Sequence, residues 1–551
     1  MKVVIDGSAA SVAVADAENL QGLSVELRDV TPERAGELLG DWGRVDGDHV
    51  WLDIATLKAK CPFPRSAEWD EQFAGAMAYA GKKGWTDVTG TRVRAHIEKR
   101  RGLMVTRELA AFVHDAPEAT SPRAVEVAKQ AVLDLFGVTV AGASEEAGKL
   151  ALAYARSQGG AGTAAVLGGG VRLTPALAAL ANGTAGHALD YDDIGLGAGH
   201  ISVAILPAVW ALAEDTGADG AAFIDALVVA YEVAHRLTTM YPDTRLGPYA
   251  AGYHKPSVYS SLGAAAGCAR LLGLPAEETA HALGIAASQA GGLRANFGTM
   301  TKPLHAGIAN RTGIEAALLA RSGFTASQEI LEQRFGWHDV ICRGEGDLDV
   351  VLDGLAETGS TRPYAIEEGL IFKGYPCCGA NHCAIGGMVG LLRETGLTEP
   401  DIAEVDVWIE RRNLEDVLVY PWARTPLEGK FSLAYNVAAA MVDGAVTVDT
   451  FTEPARERLT AYRDKVRVHA TPDLPADGAR IRVVTHDGRT VEKEQLVVRG
   501  SLRDPMTWAD LTEKFHGNLR GRVAGDEDVA AAIADLEHCA KLTAVTEPLV
   551  G

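Results

Sequence analysis

A chain of 551 residues is too long for one hydrophobic core, and its length suggests about three folding units. Hydrophobic residues make up 47% and charged residues 23%, which excludes an intrinsically disordered chain. The formal net charge of -21 argues against nucleic acid and membranes as partners, because phosphate groups are bound by clustered lysine and arginine. An anionic substrate would therefore need a local patch of positive charge.

The cysteine count and the lengths of the apolar runs indicate where in the cell the protein is located. Seven cysteines, an odd number, fit a reducing environment without a disulfide framework. The first residues include Asp6 and contain no long apolar run of a signal peptide. No stretch reaches the roughly 18 uncharged apolar residues of a membrane span. We expect a cytoplasmic protein.

Residues 1–103 predict a small mixed α/β extension. Strand patterns cover Lys2 to Ile5 and His49 to Ile54, and apolar residues recur at helical spacing from Trp69 to Gly81. Thr31 and Pro32 predict the cap and first turn of another helix. No motif in this region carries recognisable chemistry.

The pattern then becomes helical almost throughout, from about Val105 to Ala365. Apolar spacing predicts helices over Ala124–Val138, Pro175–Leu189, Val203–Asp215, Gly220–Thr238, Val258–Leu272, Glu277–Gln289 and Gly307–Arg321. Several are rich in alanine and apolar on more than one side, so we expect them to be buried.

After residue 369 strands return. Val405 to Glu410 alternates in polarity, and Arg480 to Val498 predicts two strands around the turn His486-Asp487-Gly488. Helical stretches cover Ala384–Thr395, Tyr435–Met441, Pro454–Tyr462 and, near the end, Glu527–Leu542. The predicted fold class is mainly α. It comprises a large all-helical domain (104–368 plus 501–551), an inserted α+β lid domain (369–500) and the small N-terminal extension.

The densest polar segment runs from His187 through Asp190, Asp192 and Asp193 to His200, in a glycine-rich loop after a predicted helix. One interpretation is an acid–base pair in which Asp190 orients a histidine such as His200. The alternatives are a divalent metal site, for which the spacing is a weak match, and carboxylates that cap the next segment.

Two further segments place cationic or imidazole groups before helices. His254 directly precedes a predicted helix, whose dipole favours the neutral imidazole, although a hydrogen-bonded loop histidine is the commoner case. Arg294, Lys302 and His305 lie at a glycine-rich entrance to another helix and suit a carboxylate clamp. The alternative is that Arg294 and Lys302 pair with surface acids.

The segment from Lys373 to Cys383 contains three cysteines and His382, which invites a metal or iron–sulfur interpretation. Adjacent Cys377 and Cys378 can rarely share one tetrahedral centre, and no second C-x-x-C is present, so a hinge with buried thiols is the preferred interpretation. Tyr435 begins a helix and is either a proton donor or a packing residue.

Taken together and in this order, the segments NGTAGHALDYDD, GYHKPSV, LRANFGTMTKPLHAGIANR, FKGYPCC with NH, and FSLAY resemble the MmgE/PrpD family. That family contains 2-methylcitrate dehydratase, cis-aconitate decarboxylase and iminodisuccinate epimerase. The resemblance covers about residues 105–500 and continues into the C-terminal helices. It implies a helical domain with a lid, a homodimer, and chemistry without metal or cofactor.

The resemblance also implies the site. The family's active-site positions fall on Asp190, His200, His254, Lys302 and Tyr435. Substrate contacts are expected from Arg294, His305, Lys373 and Cys378. This chain departs from the family pattern at three places. It has Ile194 where relatives show threonine, Ile201 where proline often follows the histidine, and Cys378 where decarboxylases place a histidine.

The expected function is that of a cofactor-independent lyase acting on a small polycarboxylate by α-proton abstraction, in the manner of a 2-methylcitrate dehydratase. Lys302 would stabilise negative charge, His254 and His200 would share the base and acid roles, and Tyr435 would relay a proton. The alternatives are an epimerase, isomerase or decarboxylase of a related acid, and a non-catalytic binding or scaffold protein.

Overall fold

A computed structural model describes residues 1–7, 10–15, 17, 19–20, 22–28, 30, 32–63, 65–98, 104–243, 245–523 and 526–550. The chain divides into two compact units, Met1–Leu103 and Met104–Gly551. Among the described residues, every helix is too short or too polar to span a lipid bilayer.

The first unit is built on a six-stranded mixed sheet in the order β2-β1-β3-β6-β5-β4. Its elements are β1 (Lys2–Asp6), β2 (Ser11–Ala15), β3 (Ser24–Arg28), α1 (Pro32–Leu39), β4 (Gly43–Asp46), β5 (His49–Asp53), α2 (Ile54–Ala59), α3 (Ala67–Lys82) and β6 (Arg92–Glu98). Strand β1 runs parallel to β3 and antiparallel to β2.

The predicted strands at Lys2 and His49 and the helix at Trp69 are confirmed as β1, β5 and α3. A helix does begin at Pro32, whereas Thr31 lies outside the described residues. The unit has its own core, in which Val3, Val25 and Leu52 from the sheet pack with Phe73 from α3. Burial of this apolar surface gives the unit an independent source of stability.

The second unit begins with a bundle of helices. Its helices are α4 (Val105–Asp115), α5 (Pro122–Gly142), α6 (Glu146–Ser157), α7 (Pro175–Ala188), α8 (Leu206–Thr216), α9 (Gly220–Arg236), α10 (Lys255–Leu271), α11 (Ala276–Gln289), α12 (Thr301–Arg321), α13 (Trp337–Val340), α14 (His382–Thr395), α15 (Arg411–Asp416), α16 (Pro426–Gly429), α17 (Leu433–Asp443), α18 (Glu453–Leu459), α19 (Trp508–Leu519), α20 (Asp526–Ala534) and α21 (Leu542–Val550).

Helices α7 and α12 approach each other closely, because Gly183 and Gly307 leave room for backbone contact. A Cβ atom on Gly307 would lie 2.5 Å from the carbonyl oxygen of Leu180. Helix α10 packs against α9 and α12, and α19 returns to pack on α5. The ends of α7, α10 and α12 therefore meet in one region of the unit.

The strands of this unit are β7 (Ala161–Val166), β8 (Val171–Leu173), β9 (Ile402–Glu410), β10 (Val466–Thr471), β11 (Ala479–Thr485) and β12 (Thr490–Gln495). The last four form a sheet in the order β10-β9-β11-β12, against which α14 and α17 pack. The predicted hairpin around Gly488 is confirmed as β11 and β12.

The predicted fold class is wrong, because the chain is a mixed α/β protein and not a mainly α one. Six-, four- and two-stranded sheets occur within the described residues. The Met104–Gly551 unit also carries the β7–β8 hairpin inside the region expected to be all helical. This hairpin was not predicted, because β7 consists of small residues and a glycine turn over 168–170 follows it. Apolar and polar residues therefore do not alternate clearly in this segment.

The helix expected over Glu527–Leu542 is also wrong as a single element, since α20 ends at Ala534 and α21 starts at Leu542. The limits of the domain expected over 369–500 stay a prediction.

Candidate active site

A cavity of about 550 Å³ opens where α7, α10 and α12 meet the loops of the second half of this unit. Of the nine residues that the sequence predicts for the site, six line the cavity: Asp190, His200, His254, Lys302, Lys373 and Cys378. Asp190, Lys302 and Lys373 are 2%, 4% and 1% exposed, so this part is the buried end of the cavity.

Asp190 binds two lysines at once. Its Oδ1 atom accepts hydrogen bonds from Lys302 Nζ at 2.8 Å and from Lys373 Nζ at 2.9 Å, and its backbone carbonyl accepts a second bond from Lys373. Burial alone would raise the pKa of Asp190, but the two ammonium groups hold that pKa well below its usual range. The buried end thus has two cations sharing one carboxylate, which leaves positive charge for an anion.

The backbone around Asp190 is shaped for this contact. Asp190 follows the last turn of α7 and has a φ of 53°, a left-handed conformation that is uncommon outside glycine. Gly197 and Gly199, with φ of 72° and 82°, turn the following loop back, and the Gly195 amide donates to the Gly199 carbonyl. This turn brings His200 beside the aspartates.

Asp192 orients two imidazoles. Its Oδ1 lies 2.9 Å from His187 Nδ1 and its Oδ2 lies 2.9 Å from His200 Nδ1. Because an ionised carboxylate only accepts hydrogen bonds, both imidazoles donate from Nδ1, and Nε2 carries the lone pair when the ring is neutral. His200 Nε2 lies 3.4 Å from Asp190 Oδ1. Uptake of a proton at Nε2 would therefore give an imidazolium that lies between two carboxylates, Asp192 at Nδ1 and Asp190 at Nε2.

His254 precedes α10 as its N-cap residue, and its backbone amide donates to the Gly292 carbonyl. Its Nδ1 lies 3.1 Å from Nδ1 of His305, so one of these atoms donates to the other. His305 therefore contacts His254, which lines the cavity, and does not line the cavity itself.

The imidazoles are neutral at physiological pH. Burial lowers the pKa of His200 to about 3 and that of His305 to about 4, with nearby lysine charge acting in the same direction. Burial, followed by the Lys302 ammonium, also holds the pKa of His254 well below its usual value. The site therefore holds proton acceptors beside fixed ammonium groups.

Tyr435 is not brought to the cavity. Its side chain is fully buried in the core with Trp422 and Phe451, and its hydroxyl donates to the Thr450 carbonyl at 2.6 Å. A phenol engaged in this way has no path to a ligand in the cavity, so the structure supports the packing interpretation of Tyr435.

Arg294 is likewise held away from the cavity lining. Its guanidinium lies 3.8 Å from the centroid of the Tyr249 ring and donates to the carbonyl oxygens of Tyr249 and Asp416. These contacts make Arg294 a support for Tyr249, which does line the cavity.

Four side chains could offer ligand atoms to a metal ion: His187, Asp190, Asp192 and His200, whose candidate atoms lie within 4.8 Å of one another. Two observations make a dication unfavourable there. Two ammonium groups already bind Asp190, and Asp192 accepts the Nδ1 protons of both histidines. A divalent ion would face repulsion from Lys302 and Lys373 at short range.

Sequence reasoning assigned no role to Asp192 as the orienting residue of His200. The segment HALDYDD contained the signal, but the spacing alone did not show which carboxylate faces the imidazole. It also missed cavity-lining Arg245, Lys255 and Arg503, whose positions depend on distant loops.

The geometry defines a buried acid–base site that is prepared for an anion, on a mixed α/β framework. The sequence profile of the MmgE/PrpD N-terminal domain matches residues 107–347, and that of the MmgE/PrpD C-terminal domain matches residues 375–540. The chain belongs to the MmgE/PrpD family.

Curated relatives align over most of the second unit. The human cis-aconitate decarboxylase is 29% identical over 460 residues, covering 80% of this chain and 94% of the relative. A cis-aconitate decarboxylase-like protein of Aspergillus oryzae is 30% identical over 452 residues, covering 75% and 89%. The cis-aconitate decarboxylase of Aspergillus terreus is 28% identical over 407 residues, covering 68% and 80%.

Proposed function

We propose that this protein is a lyase that acts on a small polycarboxylate by proton transfer at a carbon next to a carboxylate group. The observation that carries the proposal is the buried His200 imidazole, which Asp192 orients through Nδ1 beside the Asp190–Lys302–Lys373 group. Membership of the MmgE/PrpD family and the names of the relatives support the same class of substrate.

Substrate carboxylates would bind to Lys302 and Lys373. Both ammonium groups are buried and share one carboxylate partner, so a second anion gains a strong interaction at little cost in side-chain ordering. The negative charge that develops on the carboxylate when the neighbouring carbon loses a proton is stabilised by the same two groups.

His200 would act as the base. Its Nε2 lone pair accepts the proton from the α-carbon, and the imidazolium that forms is stabilised by Asp192 at Nδ1 and Asp190 near Nε2. In a dehydration, the electron pair of the broken C–H bond forms the double bond while hydroxide leaves from the neighbouring carbon. Dehydration is our preferred reaction.

Decarboxylation is the second candidate, because the human and Aspergillus terreus relatives are named cis-aconitate decarboxylases and the Aspergillus oryzae relative is named a cis-aconitate decarboxylase-like protein. Here His200 would first take up a proton from solvent at Nε2. The C–C bond to a carboxylate then breaks, carbon dioxide leaves, and the electron pair that remains on carbon takes the proton from the His200 imidazolium. The same residues serve both reactions. In the dehydration the proton moves from carbon to His200, and in the decarboxylation it moves from His200 to carbon.

The experiment is incubation in deuterated water with 2-methylcitrate, citrate and cis-aconitate, followed by NMR and by measurement of released carbon dioxide. Formation of an alkene from 2-methylcitrate or citrate identifies a dehydratase, and deuterium in the recovered acid then reports reversible removal of the α-proton. Carbon dioxide with a deuterated product identifies a decarboxylase. His200→Ala should lower kcat by roughly 10²–10⁴-fold. His486→Ala, in the exposed turn between β11 and β12, is the matched control and should keep full activity.

Full activity in His200→Ala would refute its role as base. If no acid shows exchange, an alkene or carbon dioxide, the lyase proposal fails and a binding function remains. Exchange without any net reaction would instead identify an epimerase.

We also propose that turnover needs no metal ion, since Lys302 and Lys373 supply the positive charge at Asp190. Activity should be unchanged after dialysis against a strong chelator. A loss that Mg²⁺, Mn²⁺ or Zn²⁺ restores would contradict this part of the mechanism.

A further inference from the structure

Three consecutive backbone carbonyl groups at the end of α7 each accept a hydrogen bond from the ammonium group of a different lysine. The pairs are Leu189 with Lys430 at 2.8 Å, Asp190 with Lys373 at 2.9 Å, and Tyr191 with Lys514 at 2.8 Å. We call residues 189–192 the aspartate turn, because this segment carries both Asp190 and Asp192. The backbone of the turn is therefore held at three successive positions.

The three lysines come from distant parts of the chain and are buried. Lys373 lies in the loop before α14, Lys430 directly follows α16, and Lys514 lies in α19. Lys373 and Lys430 are 1% and 3% exposed, and the side chain of Lys514 is 6% exposed. Burial of an ammonium group is costly, and water can satisfy a carbonyl group at a more open helix end. Three buried donors on one short segment therefore need a reason beyond helix capping.

The backbone conformation of the turn supplies such a reason. Asp190 has a φ of 53°, and a residue other than glycine keeps this conformation only where its surroundings hold it. If the turn relaxed to an ordinary backbone conformation, Asp190 would move away from Lys302. Asp192 would also lose its alignment with Nδ1 of His200. The hydrogen bonds that fix the turn therefore also fix the two carboxylates of the site.

Lys514 contacts the turn from α19 and does not line the cavity. Its ammonium group also pairs with Asp134 Oδ1 at 2.6 Å and lies 3.9 Å from the centroid of the Tyr191 ring. Asp134 lies in α5, against which α19 packs so closely that a Cβ atom on Gly137 would lie 3.1 Å from Phe515 Cα. This close packing of two helices thus determines where Lys514 meets the aspartate turn.

Lys430 holds the turn without an acidic partner. Its ammonium group donates to the carbonyl oxygens of Leu189 and Pro376 and lies 4.3 Å from the centroid of the Phe451 ring. Among the described residues, no carboxylate forms an ion pair with it. Burial lowers the pKa of Lys430 to about 8, so the protein interior disfavours the charge that these carbonyl groups stabilise. Replacement of Lys430 by an apolar side chain therefore leaves no buried carboxylate unpaired.

We propose that Lys430 and Lys514 are positioning residues of the proton-transfer site. Together with Lys373 they hold the aspartate turn in the conformation that aligns its two carboxylates with their partners. This inference rests on the proposed function and adds two residues that do not line the cavity. The competing explanation is that both lysines only cap the C-terminal end of α7 and so stabilise the fold. The two explanations differ in what they predict for kcat in variants that stay folded.

Lys430→Met tests this role without leaving a carboxylate unpaired. The variant should keep the helical circular dichroism of the wild type. Its kcat should fall roughly 10–100-fold, since an ångström-scale misplacement of a catalytic group costs about that much. KM should change little, because Lys302 and Lys373 still line the cavity. Lys541→Met, at an exposed lysine in the C-terminal segment, is the matched control and should keep full kcat.

Lys514 is tested together with its ion-pair partner. Asp134→Asn breaks the ion pair but keeps the bond from Lys514 to the Tyr191 carbonyl, so kcat should stay close to that of the wild type. Asp134→Asn/Lys514→Met removes both charges, and replacement of a whole buried ion pair by neutral side chains often costs little stability. The thermal stability of this double variant should therefore exceed that of Lys514→Met, while its kcat should remain roughly 10–100-fold below the wild-type value.

A measurement on the histidines does not depend on turnover. His187 and His200, which Asp192 orients, should carry their protons at Nδ1 in the wild type, and ¹⁵N NMR of labelled histidine reports this tautomer. The His200 signals, identified by their loss in His200→Ala, should lose this tautomer preference in Lys430→Met and in the double variant. Lys541→Met should leave them unchanged.

Wild-type kcat and unchanged His200 signals in Lys430→Met and the double variant would overturn the proposal. So would recovery of kcat together with stability in the double variant, or an equal loss of kcat in Asp134→Asn, because each would assign Lys514 to an ion pair alone. Failure of the proposed function gives a different result. If no acid is turned over, the lyase reaction is refuted, and the His200 signals alone then decide whether the two lysines position the turn.

Discussion

At the scale of single residues, the site depends on which carboxylate faces which base. Asp190 is committed to the two lysines, and Asp192 to the two imidazoles. Asp192 thus orients the base, whereas Asp190 holds the cations and also faces His200 Nε2 at 3.4 Å. The two aspartates are two positions apart, and the left-handed backbone at Asp190 points their side chains to different partners.

The first prediction concerns Asp192→Asn. An amide has one acceptor oxygen and a donor NH2 group, so it cannot accept from both Nδ1 atoms. One imidazole must then change tautomer or lose its partner, and if His200 does so its Nε2 lone pair is lost. We expect kcat to fall by roughly 10²–10⁴-fold, as for loss of a general base.

Circular dichroism should show an unchanged fold for this variant. Asp535→Asn, at an exposed aspartate that also contacts a histidine, is the control and should keep full activity. Retained turnover in Asp192→Asn would contradict the orienting role of Asp192.

The second prediction concerns Asp193, which is buried beside the loop that carries His200 and whose Oδ1 accepts a hydrogen bond from the Ser202 amide. Burial raises the pKa of Asp193 from 3.8 to about 8. The folded state therefore keeps this proton between pH 4 and 8, whereas the unfolded state releases it. The contribution of this proton to the free energy of unfolding is complete below pH 3.8, and it is lost as the pH rises through 8.

Asp193→Asn removes this titration while keeping the shape and the acceptor. The free energy of unfolding of the variant, relative to the wild type, should rise by about 1.4 kcal/mol per pH unit between pH 5 and 7.5. Urea unfolding at several pH values measures the difference, in which the effects of the buried histidines cancel. A difference that does not vary with pH would show that Asp193 is ionised in the folded protein.

At the scale of elements, the site is assembled by the close packing of α7 and α12. Asp190 follows the end of α7, and Lys302 lies in the first turn of α12. Gly183 and Gly307 face each other at the contact, where a Cβ on either would lie within about 3 Å of the opposite helix. The distance between the two helices thus determines whether Lys302 reaches Asp190.

Gly307→Ala tests this packing. The added methyl group would meet the Leu180 carbonyl at 2.5 Å, so the helices must separate. Overpacking of this kind costs about 1–3 kcal/mol of stability, and kcat should fall because Lys302 moves from Asp190. Thermal unfolding and steady-state kinetics measure the two effects.

Gly517→Ala in α19 is the matched control, because a Cβ atom there meets nothing within 4 Å. That change should raise stability by up to about 1 kcal/mol, since alanine favours the helix. If Gly307→Ala changed neither stability nor kcat, the contact between α7 and α12 would have room for the added methyl group, and the prediction would be wrong.

The sequence was informative about elements wherever local periodicity decides the structure. Helix α5 and the helices from α7 to α12 follow from apolar spacing, and proline and glycine locate most of their ends, whereas α6 was not predicted. Several strands were not predicted, β7 and β10 among them, because β7 is made of small residues and β10 pairs in parallel with the distant β9. Strand propensity depends on such partners.

The same distinction holds for the site. Asp190, His200, His254 and Lys302 could be named because short motifs carry them at helix ends. The apolar part of the cavity lining could not be predicted, since only the tertiary fold pairs Ile194 with Ile371 and brings Leu502 to the same cavity. Tyr435 was also named from a short motif at a helix end, but its hydroxyl donates to the Thr450 carbonyl and does not face the cavity.

At the scale of the whole molecule, the net charge of -21 and the two units are the dominant features. An anionic substrate is repelled by the overall field, and the cavity counters this with Arg245, Lys255, Lys302, Lys373 and Arg503. These cations come only from the Met104–Gly551 unit.

The last prediction follows from this distribution. Every residue that lines the cavity lies between Asp190 and Arg503, and the core of the Met1–Leu103 unit is formed from its own residues, up to Ile97. Two units with separate cores can unfold separately. A chain that begins at Met104 should therefore fold and keep kcat and KM within about twofold of the full chain.

Calorimetry of the full chain should show two thermal transitions, and the one that disappears on truncation belongs to the Met1–Leu103 unit. Loss of activity in a truncated chain that retains its helical circular dichroism would show that the first unit contributes to catalysis. Retained activity would place the whole acid–base machinery within the Met104–Gly551 unit, and would leave the first unit open to a separate role.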